Sequence, residues 1–394
     1  MPRRKSGSKS QFRVKTVTSA KAIAKEYLKE IELAKVTTFG LPEIDDRYSV
    51  WRVPILAKDN SPLGEVVIDA VTTLVKEKMT TGKEVLESRL LGRNGKTPKK
   101  SSANSVPKVS HLRNTVGLGD SEDLLQEVPK ESVDLVFTSP PYFNARPEYA
   151  DYVDYQDYLE KIRRIIRQCR RVLNEGRFFV MNVSHVLIRR TKRSEASKRI
   201  AVPFDMHHLF IEEGFHFIDD IIWVKPSGAG WATGRGRRFA ADRNPLQYKA
   251  VPVTEYVMVY RKNTDKLIDW HIRKHPKPDV VEESKIEDGY EQTNLWNIHP
   301  AHSKEHPAVF PQELAEKVIQ YYSFKEDVVL DPFAGIGTTG KAAVKQGRRF
   351  VLFELNEEYV QVIDKELPNW LLNQSKNVNW INYSPKYSAN FLDL

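Results

Sequence analysis

The sequence predicts an α/β protein with a mainly parallel sheet flanked by helices, preceded by a small basic α+β N-terminal module. Three observations predict it. From residue 111 onward, short apolar runs alternate with amphipathic helical stretches, which is the pattern of βαβ units. Several of these runs, such as 133–137 and 328–330, carry few polar residues, as strands covered on both faces do. Ahead of them, Arg93-Asn94-Gly95-Lys96-Thr97-Pro98 breaks all periodicity, so residues 92–109 read as a linker that closes the module near residue 110.

The elements follow in order. Residues 1–10 are rich in Lys, Arg and Ser and are expected to be disordered. A helix is expected over 19–35, capped by Ser19, with Ala24, Leu28 and Ile31 at helical spacing. Residues 49–56 and 65–70 read as strands joined through Asp59-Asn60-Ser61-Pro62, and 71–90 as helical. In the second part, strands are expected at 133–137, 178–183, 217–224, 255–261, 328–330 and 349–353. Helices are expected at 155–173, stopped by Gly176, and at 203–213, 311–322 and 338–346. Residues 262–305 read as irregular, and 371–394 as a C-terminal tail.

Composition narrows the function classes. The chain has 394 residues, 40% of them hydrophobic, enough for a real core. It has no apolar run of about 18 residues, so no membrane partner is expected. No apolar stretch follows the basic N-terminus, so no secretory signal is expected. The single cysteine, Cys169, fits a reducing, cytoplasmic setting. The net charge of +9 is zoned. Residues 1–115 hold 23 basic and 12 acidic side chains, 161–199 hold 13 and 2, and 225–249 hold 6 and 1. Zoned positive charge is the usual footprint of a polyanion, although Lys and Arg also simply solvate helix faces.

Two motifs carry chemistry. The first runs Asp331-Pro332-Phe333-Ala334-Gly335-Ile336-Gly337-Thr338-Thr339-Gly340, directly after an expected strand and into an expected helix. Glycines there permit a tight turn and a close approach of backbone to ligand. Glu354 ends the next strand, where a carboxylate can accept from ribose hydroxyls. An ordinary strand–helix turn with a solvated Glu354 is the plain alternative. No Gly-Lys-Ser/Thr is present in the loop, so a triphosphate cradle is excluded. The second motif is Ser139-Pro140-Pro141-Tyr142, at the end of a strand. Two prolines remove two N–H donors and leave a rigid, acceptor-rich rim. The Ser139 hydroxyl and the Pro140 carbonyl can accept from a planar amine, and Tyr142 can stack on its ring. A Pro-Pro strand terminator is the plain alternative.

In this order, the two motifs resemble those of the β-class amino DNA methyltransferases, in which the catalytic motif precedes the cofactor motif. Gly119-Asp120-Ser121, Asp220-Ile221-Ile222-Trp223-Val224-Lys225-Pro226, Glu255-Tyr256-Val257-Met258-Val259-Tyr260 and His306-Pro307-Ala308-Val309-Phe310-Pro311 extend the resemblance over about residues 111–365. It implies a Rossmann-like class I methyltransferase fold over 111–370, and S-adenosyl-L-methionine as cofactor. Phe333, Gly335 and Gly337 would cradle that cofactor, Glu354 would bind its ribose, and Phe310 would pack beside it. Asp331, Thr338 and Thr339 would lie near its methionine end. Ser139, Pro140, Pro141 and Tyr142 would form the catalytic pocket for a base flipped out of double-stranded DNA, because an exocyclic amine is unreachable inside the stack.

Carbon-5 methylation needs a cysteine nucleophile. Cys169 falls on the apolar face of a helix, so it reads as core and leaves an exocyclic nitrogen as the target. Ser at the first motif position resembles the cytosine-N4 enzymes more than the adenine-N6 ones, which remain the alternative. A catalytically silent DNA-binding module is a third. Arg235, Arg237 and Arg238, in a Gly/Arg-rich loop, and Arg189, Arg190 and Arg193 are candidate DNA contacts, against a reading as solvated loops. Target recognition is expected within 225–305, shared with the basic module. His299, His302 and His306 lack accompanying cysteines or carboxylates, so no metal is expected. The resemblance further implies a prokaryotic restriction–modification setting, with any cognate restriction endonuclease encoded separately. It leaves monomer and dimer open.

Overall fold

Contacts along the chain divide it into two units, Met1–Ala103 and Asn104–Leu394. In this computed structural model, the described residues are 12–46, 48–91, 106–143, 154–188, 198–226, 252–301, 309–372 and 378–383.

In the first unit, helix α1 (Val17–Glu30) begins earlier than expected, because Thr16 and not Ser19 is its cap. The Thr16 hydroxyl accepts from the Ser19 amide at 3.1 Å. Strands β1 (Thr37–Phe39), β2 (Glu43–Asp45), β3 (Val50–Ala57) and β4 (Pro62–Asp69) form an antiparallel sheet. β3 pairs with the other three. Ala20, Ala24 and Leu28 share a core with Val53, Ile55, Val66 and Ile68. The helix expected over 71–90 is confined to α2 (Lys83–Leu91). The preceding residues instead serve the edge of β4. Thr80 and Thr81 accept from the Val67 and Glu65 amides through their hydroxyls, each at 3.0 Å. Ser and Thr side chains commonly compete with helix in this way.

The second unit opens with β5 (Thr115–Leu118), α3 (Ser121–Glu127) and β6 (Val133–Thr138). The boundary expected at residue 110 falls earlier. Arg349 donates to the Ser110 and Leu112 carbonyls at 2.8 and 2.7 Å, tying those residues to this unit. Next come α4 (Tyr155–Val172), β7 (Leu173–Val183), the β8–β9 hairpin (Val186–Ile188, Lys198–Ile200), α5 (Val202–Glu212), β10 (Phe215–Val224) and β11 (Thr254–Lys262). Gly176 does not stop α4, which ends at Val172. It lies inside β7 at φ +67°, in a bulge where the register on β6 slips. The region expected to be irregular holds α6 (Trp270–Lys274), α7 (Pro278–Glu283) and β12 (Leu295–Asn297), whose Trp296 is buried. Then follow α8 (Gln312–Tyr322), β13 (Val328–Asp331), α9 (Thr338–Lys345), β14 (Arg349–Glu354), α10 (Glu357–Trp370) and β15 (Asn379–Ile381). The expected tail thus contributes an edge strand, β15, which pairs with β5.

The nine strands of the main sheet run β12-β10-β11-β7-β6-β13-β14-β5-β15. From β7 to β15 every neighbour is parallel, and β11 is antiparallel to both β7 and β10. The period of two along β6 divides its side chains between two cores. Val136 faces α3, α4 and α5, while Leu135 and Phe137 face α8, α9 and α10. Cys169 is wholly buried in the first of these, and burial pushes its thiol pKa up, away from a reactive thiolate. Among the described residues, no helix is long and apolar enough to cross a membrane.

Candidate active site

Adjacent parallel strands deliver the two motifs to one edge of the sheet. β6 ends at Thr138 and β13 at Asp331, and the two strands pair. The side chains at these ends are bonded: Thr138 Oγ1 donates to Asp331 Oδ1 at 2.6 Å. Ser139-Pro140-Pro141-Tyr142 and the glycine loop therefore leave the sheet side by side, outside the carboxyl ends of its strands. Open α/β sheets bind ligands there.

The loop is braced from within. Thr339 Oγ1 donates to Asp331 Oδ2 at 2.5 Å, and the Phe333 amide donates to Oδ1 at 3.0 Å. Asp331 and Thr339 are both fully buried. Burial raises the Asp331 pKa to about 6, against the pull of these three donors. Asp331 and Thr339 were expected to sit near a ligand. They are buried and bonded to each other at the base of the loop, while Thr338 and Phe333 are half-buried. Ser121, at the start of α3, also holds the loop by donating to the Pro332 carbonyl.

Gly337 requires its glycine. It sits at φ +83° as the cap of α9, and a Cβ there would come within 2.5 Å of the Trp370 ring. Gly335, at φ +55°, offers its amide to Glu354 Oε2 at 2.7 Å, and the Asn356 amide donates to Oε1 at 2.9 Å. Each carboxylate oxygen keeps a further lone pair for a ligand hydroxyl. Burial raises the Glu354 pKa. These acceptors fit the hydroxyls of a nucleoside cofactor's sugar. Phe310 packs edge-on against Phe137 of β6, with ring centroids 5.2 Å apart, beside the same strand end.

On the other side of Ser139, the structure gathers residues whose role sequence reasoning missed. Asn182 of β7 donates to Ser139 Oγ at 3.4 Å and to Glu255 Oε2 at 2.9 Å. The Tyr142 hydroxyl donates to the same Glu255 oxygen at 3.2 Å. Lys225, after β10, pairs with Glu255 Oε1 and lies 4.5 Å from the Trp223 ring centroid. Lys225 and Glu255 stood in segments that carry the family resemblance, and the position of these polar residues at strand ends was the further signal in the sequence. Arg189, Arg190, Arg193, Arg235, Arg237, Arg238, His302 and His306 lie outside the described residues.

Comparison with known proteins agrees with this geometry. A DNA methylase family model matches residues 133–365. The type II methyltransferase M.ScaI of Streptomyces caespitosus is 30% identical over 254 residues, 62% of this chain and 78% of that protein. The DNA adenine methyltransferase YhdJ of Escherichia coli K12 is 26% identical over 261 residues, 63% of this chain and 80% of YhdJ. Among solved structures, TTHA0409 of Thermus thermophilus complexed with S-adenosyl-L-methionine superimposes with a TM-score of 0.55 at 26% identity. That alignment covers 69% of this chain and 99% of TTHA0409. With the match spanning more than half its length, the chain belongs to the N6/N4 DNA methylase family and is a DNA methyltransferase.

Proposed function

We propose that the chain methylates the exocyclic N4 amine of a cytosine flipped out of double-stranded DNA, at specific sites. S-adenosyl-L-methionine is the methyl donor. The observation that carries the reading is the Thr138–Asp331 bond, which sets the amine-accepting motif beside the glycine loop. When bound, the cofactor supplies an electrophilic methyl group. The residues of this chain do the rest. Phe333, Gly335 and Gly337 line the cofactor cradle, Asp331, Thr338 and Thr339 lie toward its methionine end, Glu354 accepts from ribose hydroxyls, and Phe310 closes its flank. Ser139 Oγ and the Pro140 carbonyl accept from the target NH2 and draw it toward a tetrahedral nitrogen, whose lone pair is then free to react. Tyr142 stacks on the ring and Pro141 stiffens the rim. Such positioning supplies a large share of the rate in transfers of this kind. Arg189, Arg190, Arg193, Arg235, Arg237 and Arg238 contact DNA phosphates or base edges.

Ser139 favours cytosine N4 through the resemblance of its motif. Adenine N6 is the second reading, favoured by the similarity to YhdJ. The similarity to M.ScaI supports a place in a type II restriction–modification system, with the endonuclease a separate chain. Transfer of tritiated methyl groups to DNA, followed by nucleoside analysis, tests the assignment. N4-methylcytosine is the expected product, N6-methyladenine would replace the first reading with the second, and no incorporation would overturn both.

A further inference from the structure

Glu255 is the first buried residue of β11 and 9% exposed, on the edge of the sheet that carries Ser139. A buried carboxylate is costly without partners. This one has three: Tyr142 and Asn182 on one oxygen, Lys225 on the other. The first two lead straight to the catalytic motif. An ionised carboxylate only accepts, so Asn182 must turn its Nδ2 toward Glu255, and the same nitrogen reaches Ser139 Oγ. The opposite atom, Asn182 Oδ1, is buried and has no hydrogen-bond partner among the described residues.

We propose that Glu255 is a positioning residue for methyl transfer, anchoring the Tyr142 ring and, through Asn182, the Ser139 hydroxyl. The inference rests on reading Ser139 and Tyr142 as the contacts to the target base. Tyr142 is joined to the backbone at one end and to Glu255 at its phenolic oxygen, so the long axis of its ring is held at both ends. Ser139 Oγ uses one lone pair on Asn182, which leaves its second lone pair and its own proton for the pocket. Lys225 balances the charge of Glu255, and the Trp223 face holds the ammonium in place. Tyr142, Asn182, Lys225 and Glu255 come from four separate segments, and the carboxylate is the point at which they meet.

The test compares the full chain with Glu255→Gln, Tyr142→Phe and the double variant, measuring methyl transfer to DNA and, by calorimetry, cofactor binding. In E255Q, kcat is expected to fall about ten- to a hundredfold, the scale of losing alignment at a reacting centre. Cofactor affinity should stay within about twofold, because the substitution leaves Glu354 and the glycine loop untouched. Tyr142→Phe removes only the phenolic oxygen and should lose kcat in the same way. The double variant should lose no more than the worse single one, because both act through one bond. The proposal is overturned if E255Q keeps wild-type kcat or if the two losses multiply. It is equally overturned if E255Q no longer binds cofactor, which would make Glu255 a residue of the fold alone. Wild-type chain that transfers no methyl to DNA overturns the proposed function itself, and this inference with it.

Discussion

Asp331 and Glu354 are both carboxylates at strand ends beside the glycine loop, yet their surroundings separate their roles. Asp331 spends both oxygens on Thr138, Thr339 and the Phe333 amide and sees no solvent. Its pKa is raised from 3.8 to about 6, so the native state keeps a proton that the unfolded chain releases. The resulting stability is fully present below about pH 3.8 and is lost as pH rises through about 6. The Thr339 bond favours the ionised form. Thr339→Val should therefore cost about 1–3 kcal/mol above that range and less below it. Urea denaturation on either side of the window checks this, and equal costs at both pH values would contradict it. Within the catalytic motif, Tyr142→Ala and Pro140→Ala should retain cofactor binding and lose most turnover. Loss of cofactor binding in both would contradict their placement at the base.

At the scale of elements, the turn from β13 into α9 decides whether the cofactor cradle forms. Gly337 is left-handed and sits against Trp370 of α10, so Gly337→Ala adds both backbone strain and a clash. It should destabilise the unit by about 1–3 kcal/mol and weaken cofactor binding, read by thermal melting and calorimetry. The strands and helices with unbroken apolar periodicity were legible in the sequence: α4, α8, α9, β6, β13 and β14 fall within a few residues of expectation. The departures have local causes. The hydroxyls of Thr80 and Thr81 captured the edge of β4 and displaced a helix. Gly176 serves a bulge instead of a helix end. β12 and β15 are three residues each, too short for periodicity, and exist because a sheet edge was available to pair.

For the whole molecule, the two units divide the charge unequally. Residues 1–103 hold 21 basic and 12 acidic side chains, while 104–394 hold 40 of each, so the net +9 lies in the first unit. The described residues of that unit do not carry it. Residues 12–46 and 48–91 hold 12 of each sign. The surplus is Arg3, Arg4, Lys5, Lys9, Arg47, Arg93, Lys96, Lys99 and Lys100. Basic runs of this kind bind nucleic acid through phosphates. Replacing the eight flanking residues, all but Arg47, by Gln should weaken DNA binding about tenfold or more and flatten its salt dependence. Cofactor binding and melting temperature should not change. An unaltered salt slope would remove the first unit from DNA recognition.

By itself, the sequence determined the fold class, the order of the two motifs and the identity of the residues in them. Those features are local: apolar period, glycine where a turn needs it, proline where an N–H must be absent. The tertiary structure decided which residues meet. Thr138 and Asp331 are 193 positions apart and bonded, and Ser139, Asn182, Lys225 and Glu255 converge only because β6, β7, β10 and β11 bring them to one edge. A side chain's partner across a sheet depends on strand order, and strand order follows from how the helices cover both faces, which no single segment records.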